Sequence, residues 1–275
     1  GDVFLRLYRR CRPFPFVRFK FKFSMIPSEF DIVSLLVIAA AFALGGISKG
    51  VIGFGLPLIA VPICASVVSV PLAIAITAAP VLVSNFYQAF HGGRQSIVMR
   101  RFWPFLVTLV LGVLLGAQVL TRADQGLVAV IVGTLLLIFV TAQYFDFKPE
   151  IPAQAERRLN PYVGICAGAL GGVSGLFGSI VVTYLVALRV PKVLFITSIG
   201  VFYLFGNTPI YVTLYFTGVM GRDEFIGTIL VCVPLCVGLW FGTWLRNRIS
   251  QILFQRVLLV GLVIISLNLI RRGLF

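Results

Sequence analysis

Apolar residues in this chain come in long unbroken runs rather than at the spacing of an amphipathic helix. Residues 33–48 and 51–90 contain no charged side chain. Runs of that length cross a bilayer rather than face water. The pattern predicts hydrophobic helices at about 31–45, 52–69, 71–90, 102–120 and 126–145. A second set follows: one starting at Pro161, a residue suited to a first helical turn, then about 179–189, 191–216, 225–245 and 252–270. Between the sets lies a polar linker, 146–160, with Lys148, Glu150, Glu156, Arg157 and Arg158. Glycine and proline interrupt the helical pattern at 45–57, at 171–178 and at Gly206, Asn207, Thr208 and Pro209. At membrane depth such a break survives only inside protein or against a wet cavity.

The first two interruptions echo each other. Gly45, Gly46, Ile47 and Ser48 match Gly171, Gly172, Val173 and Ser174 at an offset of 126. Pro71 and Thr77 match Pro191 and Thr197 at an offset of 120. Paired glycine-interrupted segments in two halves point to a transporter binding site. Five segments per half send the second half into the bilayer from the opposite side. The expected fold is an all-α polytopic membrane protein built as two inverted repeats, 25–145 and 161–275, joined by a cytoplasmic linker. The two breaks are expected to meet near the midplane. If the segments after them are re-entrant arms, eight of the ten segments are full spans.

Composition agrees: 59% of residues are hydrophobic and 12% charged, against about 25% charged in soluble domains. The net charge of +14 would suggest nucleic acid in a soluble protein. Here the basic residues cluster between apolar segments, where they set topology. One side collects Arg94, Arg100, Arg101, Lys148, Arg157, Arg158, Arg189, Lys192, Arg246, Arg248 and Arg256. The other holds Arg122, Arg222, Arg271 and Arg272. Positive-inside therefore places both ends of the membrane region outside the cytoplasm. Residues 1–24, with seven Lys and Arg, oppose that topology. They read as a basic leader: either a non-native extension, or an amphipathic arm on anionic lipid. Glu29 and Asp31 argue against a signal peptide. The cysteines Cys11, Cys64, Cys166, Cys232 and Cys236 form no CxxC pair and read as packing residues rather than a metal site. No cofactor is expected.

The nine acidic residues all fall in the leader, loops or helix ends of this reading. Cation carriers and carboxylate proton relays need an acid inside a span. The polar groups left in the spans are Lys49, Ser48, Thr77, Ser84, Asn85, Gln88, Ser174, Thr197, Ser198, Asn207 and Thr208. Most are donors or small neutral groups, and helix N-termini after the breaks add N–H groups and partial positive charge. Together they describe an anion site. Lys49 is the one charged residue between Asp31 and Arg94. It either meets the anion or snorkels to the headgroups. The substrate-binding residues expected are Lys49, Ser48, Gly50, Gly53, Asn85, Gln88, Ser174, Gly175 and Asn207. His91, the single histidine, is either an interfacial loop residue or a proton gate. No Ser-His-Asp, HExxH or P-loop pattern is present, so no catalytic residue is expected.

Three stretches carry a resemblance. Gly45-Gly46-Ile47-Ser48-Lys49-Gly50-Val51-Ile52-Gly53-Phe54-Gly55-Leu56-Pro57 continues through Leu58-Ile59-Ala60-Val61-Pro62. Pro80-Val81-Leu82-Val83-Ser84-Asn85-Phe86-Tyr87-Gln88 follows, and later Gly171-Gly172-Val173-Ser174-Gly175-Leu176-Phe177-Gly178. These resemble the sulfite exporter TauE/SafE family over about 30–272. The resemblance implies duplicated membrane helices that move small sulfur-containing anions: sulfite, sulfoacetate or other organosulfonates. It also implies a multi-pass protein of the cell (inner) membrane, with a small anion and the lipid bilayer as partners and a homodimer allowed. Gly178 is followed here by Ser179, Ile180 and Val181, where many members keep further glycines and a proline. The alternative classes are a membrane-embedded enzyme and an accessory or structural membrane subunit.

Overall fold

The computed structural model describes residues 32–274 except 54, 92, 146–149, 222–227, 247 and 249. The leader and the acidic residues before the first helix lie outside the described residues. Residues 33–275 form one compact unit. Among the described residues there are eleven helices and no strand, and seven helical stretches are long and apolar enough to cross a membrane. The all-α polytopic reading is correct.

Helix α1 (Ile32–Ile52) runs on through Gly45, Gly46 and Gly50, which corrects the expectation of a break there. Those glycines are contact points. A Cβ on Gly46 would stand 2.9 Å from the backbone nitrogen of Leu239, and one on Gly50 2.7 Å from the Leu239 carbonyl. Small residues at four-residue spacing let two membrane helices touch backbone to backbone. The real interruption is Gly53 and Gly55, at φ +94° and +104°, a region that only glycine enters without strain.

Helix α2 (Leu56–Cys64) starts directly after it, with a proline in its first turn. The predicted 71–90 helix is two pieces, α3 (Val70–Ala75) and α4 (Ala78–His91). At the joint Thr77 bonds the Ile74 carbonyl at 2.6 Å and the Tyr211 hydroxyl at 3.1 Å. Helices α5 (Gln95–Arg122) and α6 (Gln125–Tyr144) complete the first half. Helix α5 kinks at Phe102 (φ −110°, ψ 19°), two residues before Pro104.

Helix α7 (Ala153–Ser174) begins eight residues before the Pro161 start read from the sequence. Its early turns are fixed from outside the helix. Arg101 of α5 grips Glu156 with two bonds, at 2.7 and 2.8 Å, and Tyr184 donates to Asn160 at 2.8 Å. Gly175 (φ +70°) ends α7 in the left-handed turn of a helix C-terminus. Then come α8 (Gly178–Ala187), α9 (Lys192–Phe216), α10 (Cys232–Leu245) and α11 (Gln251–Leu274). Helix α9 is continuous, correcting the break expected at 206–209. Neighbouring helices support a proline-containing membrane helix, and Gly206 serves instead to admit the ring of Phe177, which a Cβ would approach to 2.6 Å.

Glycine also sets the remaining crossings. Gly112 and Gly116 of α5 meet Ala169, Gly172 and Val173 of α7 at 2.8–2.9 Å from their would-be Cβ atoms. Gly238 and Gly242 of α10 meet Ala43 and Ile47 of α1. Gly112 and Gly238 are 126 residues apart, as are Gly116 and Gly242, and Gly46 and Gly172. The first helix of each half is thus crossed by a helix of the other half, at matching glycines. Helix α6 packs on α11 through Gly133 and Ser266, and α9 on α4 through Gly200 and Ala89.

Candidate functional site

Lys49 lies in the last turn of α1 and is partly buried. Its Nζ donates to Ser84 Oγ of α4 at 2.7 Å. Among the described residues it has no acidic partner; the ion pairs found there are Arg101–Glu156 and Arg189–Glu150. One turn further along both helices, Gln88 Nε2 donates to the Gly53 carbonyl at 3.0 Å. Two rungs therefore tie the end of α1 to α4. The lower rung satisfies a carbonyl that the helix end leaves open. Lys49 thus bonds inside the helix bundle, not out at a free helix end.

The two breaks converge. Gly55, Pro57 and Leu58 from the first, and Gly175, Leu176 and Gly178 from the second, line one cavity of about 20 Å³ with Phe139, Gln143, Val182 and Tyr203. That is room for about one water. The N-terminal ends of α2 and α8 border it, each with open N–H groups and partial positive charge. A larger apolar cavity of about 320 Å³ lies beside it, walled by α6, α7 and α8 and reached by Ser174 and Thr183.

The serines of the two matched motifs both sit at the breaks. Ser174 Oγ donates to the Leu170 carbonyl at 2.8 Å and accepts from the Leu176 N–H at 3.1 Å. Ser48, 1% exposed, sits under Gly55, whose Cβ would come 2.9 Å from its Oγ. Gly50 packs on α10, and Gly53 has nothing within 4 Å of a would-be Cβ. Gly175 faces Ile74 of α3.

Asn85 and Asn207 direct their amide donors into their own helices, to Val81 O at 2.8 Å and Tyr203 O at 2.9 Å. His91 ends α4, and its side chain lies outside the described residues.

The structure thus joins Lys49 to Ser84, Gln88 to Gly53, and the Gly55 break to the Gly175 break. It does not bond Asn85 or Asn207 to Lys49. Ser84 stood among the polar residues read from the spans, and its spacing of four from Gln88 is the signal that pairs them on one face of α4. Tyr203 and Gln143 had no signal, since a lone polar residue in an apolar helix does not say what it faces.

A model of the family described as sulfite exporter TauE/SafE matches residues 37–269. Comparison with curated proteins gives no match, and comparison with solved structures gives none.

Proposed function

The chain belongs to the sulfite exporter TauE/SafE family, a family of membrane transporters and not of enzymes, and we propose how this member does its work. As a multi-pass member it is a transporter of small anions of the sulfite kind. The proposed cargo is sulfite, sulfoacetate or another organosulfonate, carried across the cell (inner) membrane by alternating access between two inverted repeats.

The observation that carries the proposal is the convergence of residues 55–58 and 175–178 on one small cavity. Two helix N-termini bordering one small cavity favour an anion at either of them. Lys49 supplies the full charge close by in sequence, four residues before Gly53. The reciprocal glycine crossings, α10 on α1 and α5 on α7, support a two-fold exchange of equivalent helices between the halves. In such an arrangement a rocking of one half against the other opens the gap first to one side and then to the other.

Uptake of radiolabelled sulfite into liposomes holding the purified protein tests this. Saturable, protein-dependent uptake that unlabelled sulfite competes away is the expected result. Uptake equal to that of empty liposomes, for sulfite and for a panel of sulfonates, overturns it.

A further inference from the structure

Beside Lys49 stands an acceptor with nothing to accept. Gln88 Oε1 is buried and has no hydrogen-bond partner among the described residues. The amide's orientation is fixed by its other end: Nε2 donates to the Gly53 carbonyl at 3.0 Å, and reversing the group would set two oxygens face to face. An unsatisfied buried acceptor is a standing penalty that a donor relieves.

The neighbouring rung holds Lys49 Nζ on Ser84 Oγ at 2.7 Å. An ammonium has three N–H donors, and among the described residues only one of them has a partner, which leaves two for a ligand. Residues four apart on a helix are about 5–6 Å apart at Cβ, a separation that one small oxyanion bridges with two hydrogen bonds. Gly53, at the end of the Gln88 rung, has open space where a side chain would stand.

We infer that the species carried is the singly protonated monoanion of a weak oxyacid, with Lys49 meeting its charge and Gln88 Oε1 accepting its O–H. This rests on the anion-transport reading above and narrows it. A fully deprotonated dianion would turn a bare oxygen toward Oε1, a repulsion that selects against it. A site built to bond a substrate hydroxyl rejects the analogue that lacks it strongly, because its own polar group is left unpaired.

The test uses two probes of equal charge and similar shape, differing by one O–H: methylphosphonate held as its monoanion, and methanesulfonate. Binding of each to the purified full chain is measured by titration calorimetry. Methylphosphonate should bind at least about tenfold more tightly to the parent. Gln88→Leu should bring the ratio close to one, and Gln88→Asn, which keeps the amide but shortens its reach, should also lower it. Equal binding of both probes by the parent overturns the inference, as does an undiminished ratio in either variant. Should Gln88→Leu fail to fold, the parent ratio and Gln88→Asn decide. If neither probe nor sulfite binds, the anion site itself is wrong, a failure distinct from equal binding.

Discussion

Lys49 and Ser84 are joined by a 2.7 Å hydrogen bond that spans 35 residues of sequence. The bond sets the ammonium at the seam between α1 and α4, within the bundle and without a carboxylate partner among the described residues. An unpaired ammonium at membrane depth costs about 2.5–3.5 kcal/mol even on the lenient insertion scale. A bound anion offsets that cost. Lys49→Met is therefore expected to insert and fold but to bind sulfite at least about tenfold more weakly, or about 1.4 kcal/mol. Lys49→Arg should keep part of the activity, since charge remains while shape changes. Transport by Lys49→Met at the parent's rate would leave the ammonium without a role in binding.

The backbone contacts at α1–α10 and α5–α7 predict a stability pattern. Gly46→Val and Gly116→Val each push a side chain into a facing backbone, and over-packing of this kind costs about 1–3 kcal/mol. Gly261 of α11 has nothing within 4 Å of a would-be Cβ. Gly261→Ala is therefore expected to be neutral or slightly stabilising, as alanine is the better helix former. Thermal unfolding in detergent checks this. Equal melting of all three variants would show that the glycines are not contact residues.

The membrane class and an interruption within each of 45–57 and 171–178 were legible because hydropathy and glycine pairs are local signals. What each glycine does was not. Gly46 and Gly53 read alike in sequence, yet one is helical with a neighbouring helix against it and the other has φ +94°. The difference lies in what packs alongside, and residues almost two hundred positions away decide it. The same holds for α7: Glu156 and Asn160 look like linker residues until Arg101 and Tyr184 hold them in a helix. Asn85 and Asn207 show the same limit from the other side. Both were expected around the anion, but an asparagine in a helix can also satisfy its donor on the carbonyl four residues back, and both do.

Strain at the breaks gives a graded test. Alanine at Gly175 (φ +70°) meets the left-handed penalty of about 1–2 kcal/mol and touches Ile74 at 3.2 Å. Alanine at Gly55 lies further out, at φ +104°, and comes 2.9 Å from Ser48 Oγ. Gly55→Ala should therefore lower the melting temperature more than Gly175→Ala, and both should slow sulfite transport. A Gly55→Ala protein as stable and as active as the parent would mean that the break does not need its conformation.

The Arg101–Glu156 pair joins α5 of the first half to α7 of the second, one residue before the Phe102 kink. Its geometry is the two-pronged one that arginine favours, with Nε on Oε1 at 2.7 Å and Nη2 on Oε2 at 2.8 Å. The arginine side chain is 34% exposed and the glutamate 12%, so solvent screens part of the attraction. A double-mutant cycle with Arg101→Met and Glu156→Gln should give a coupling of about 1 kcal/mol, at the upper end for exposed pairs. Arg101→Lys should recover less than half, because a point charge cannot make both bonds. If the halves move against each other during transport and α5 slides on α7 as they do, the pair is strained more in one state than in the other. Breaking it should then change the rate of sulfite uptake by a different factor from the rate of efflux under matched gradients. Zero coupling in the cycle would make the pair incidental. Full coupling with equal changes in both directions would confine it to holding α7 in place.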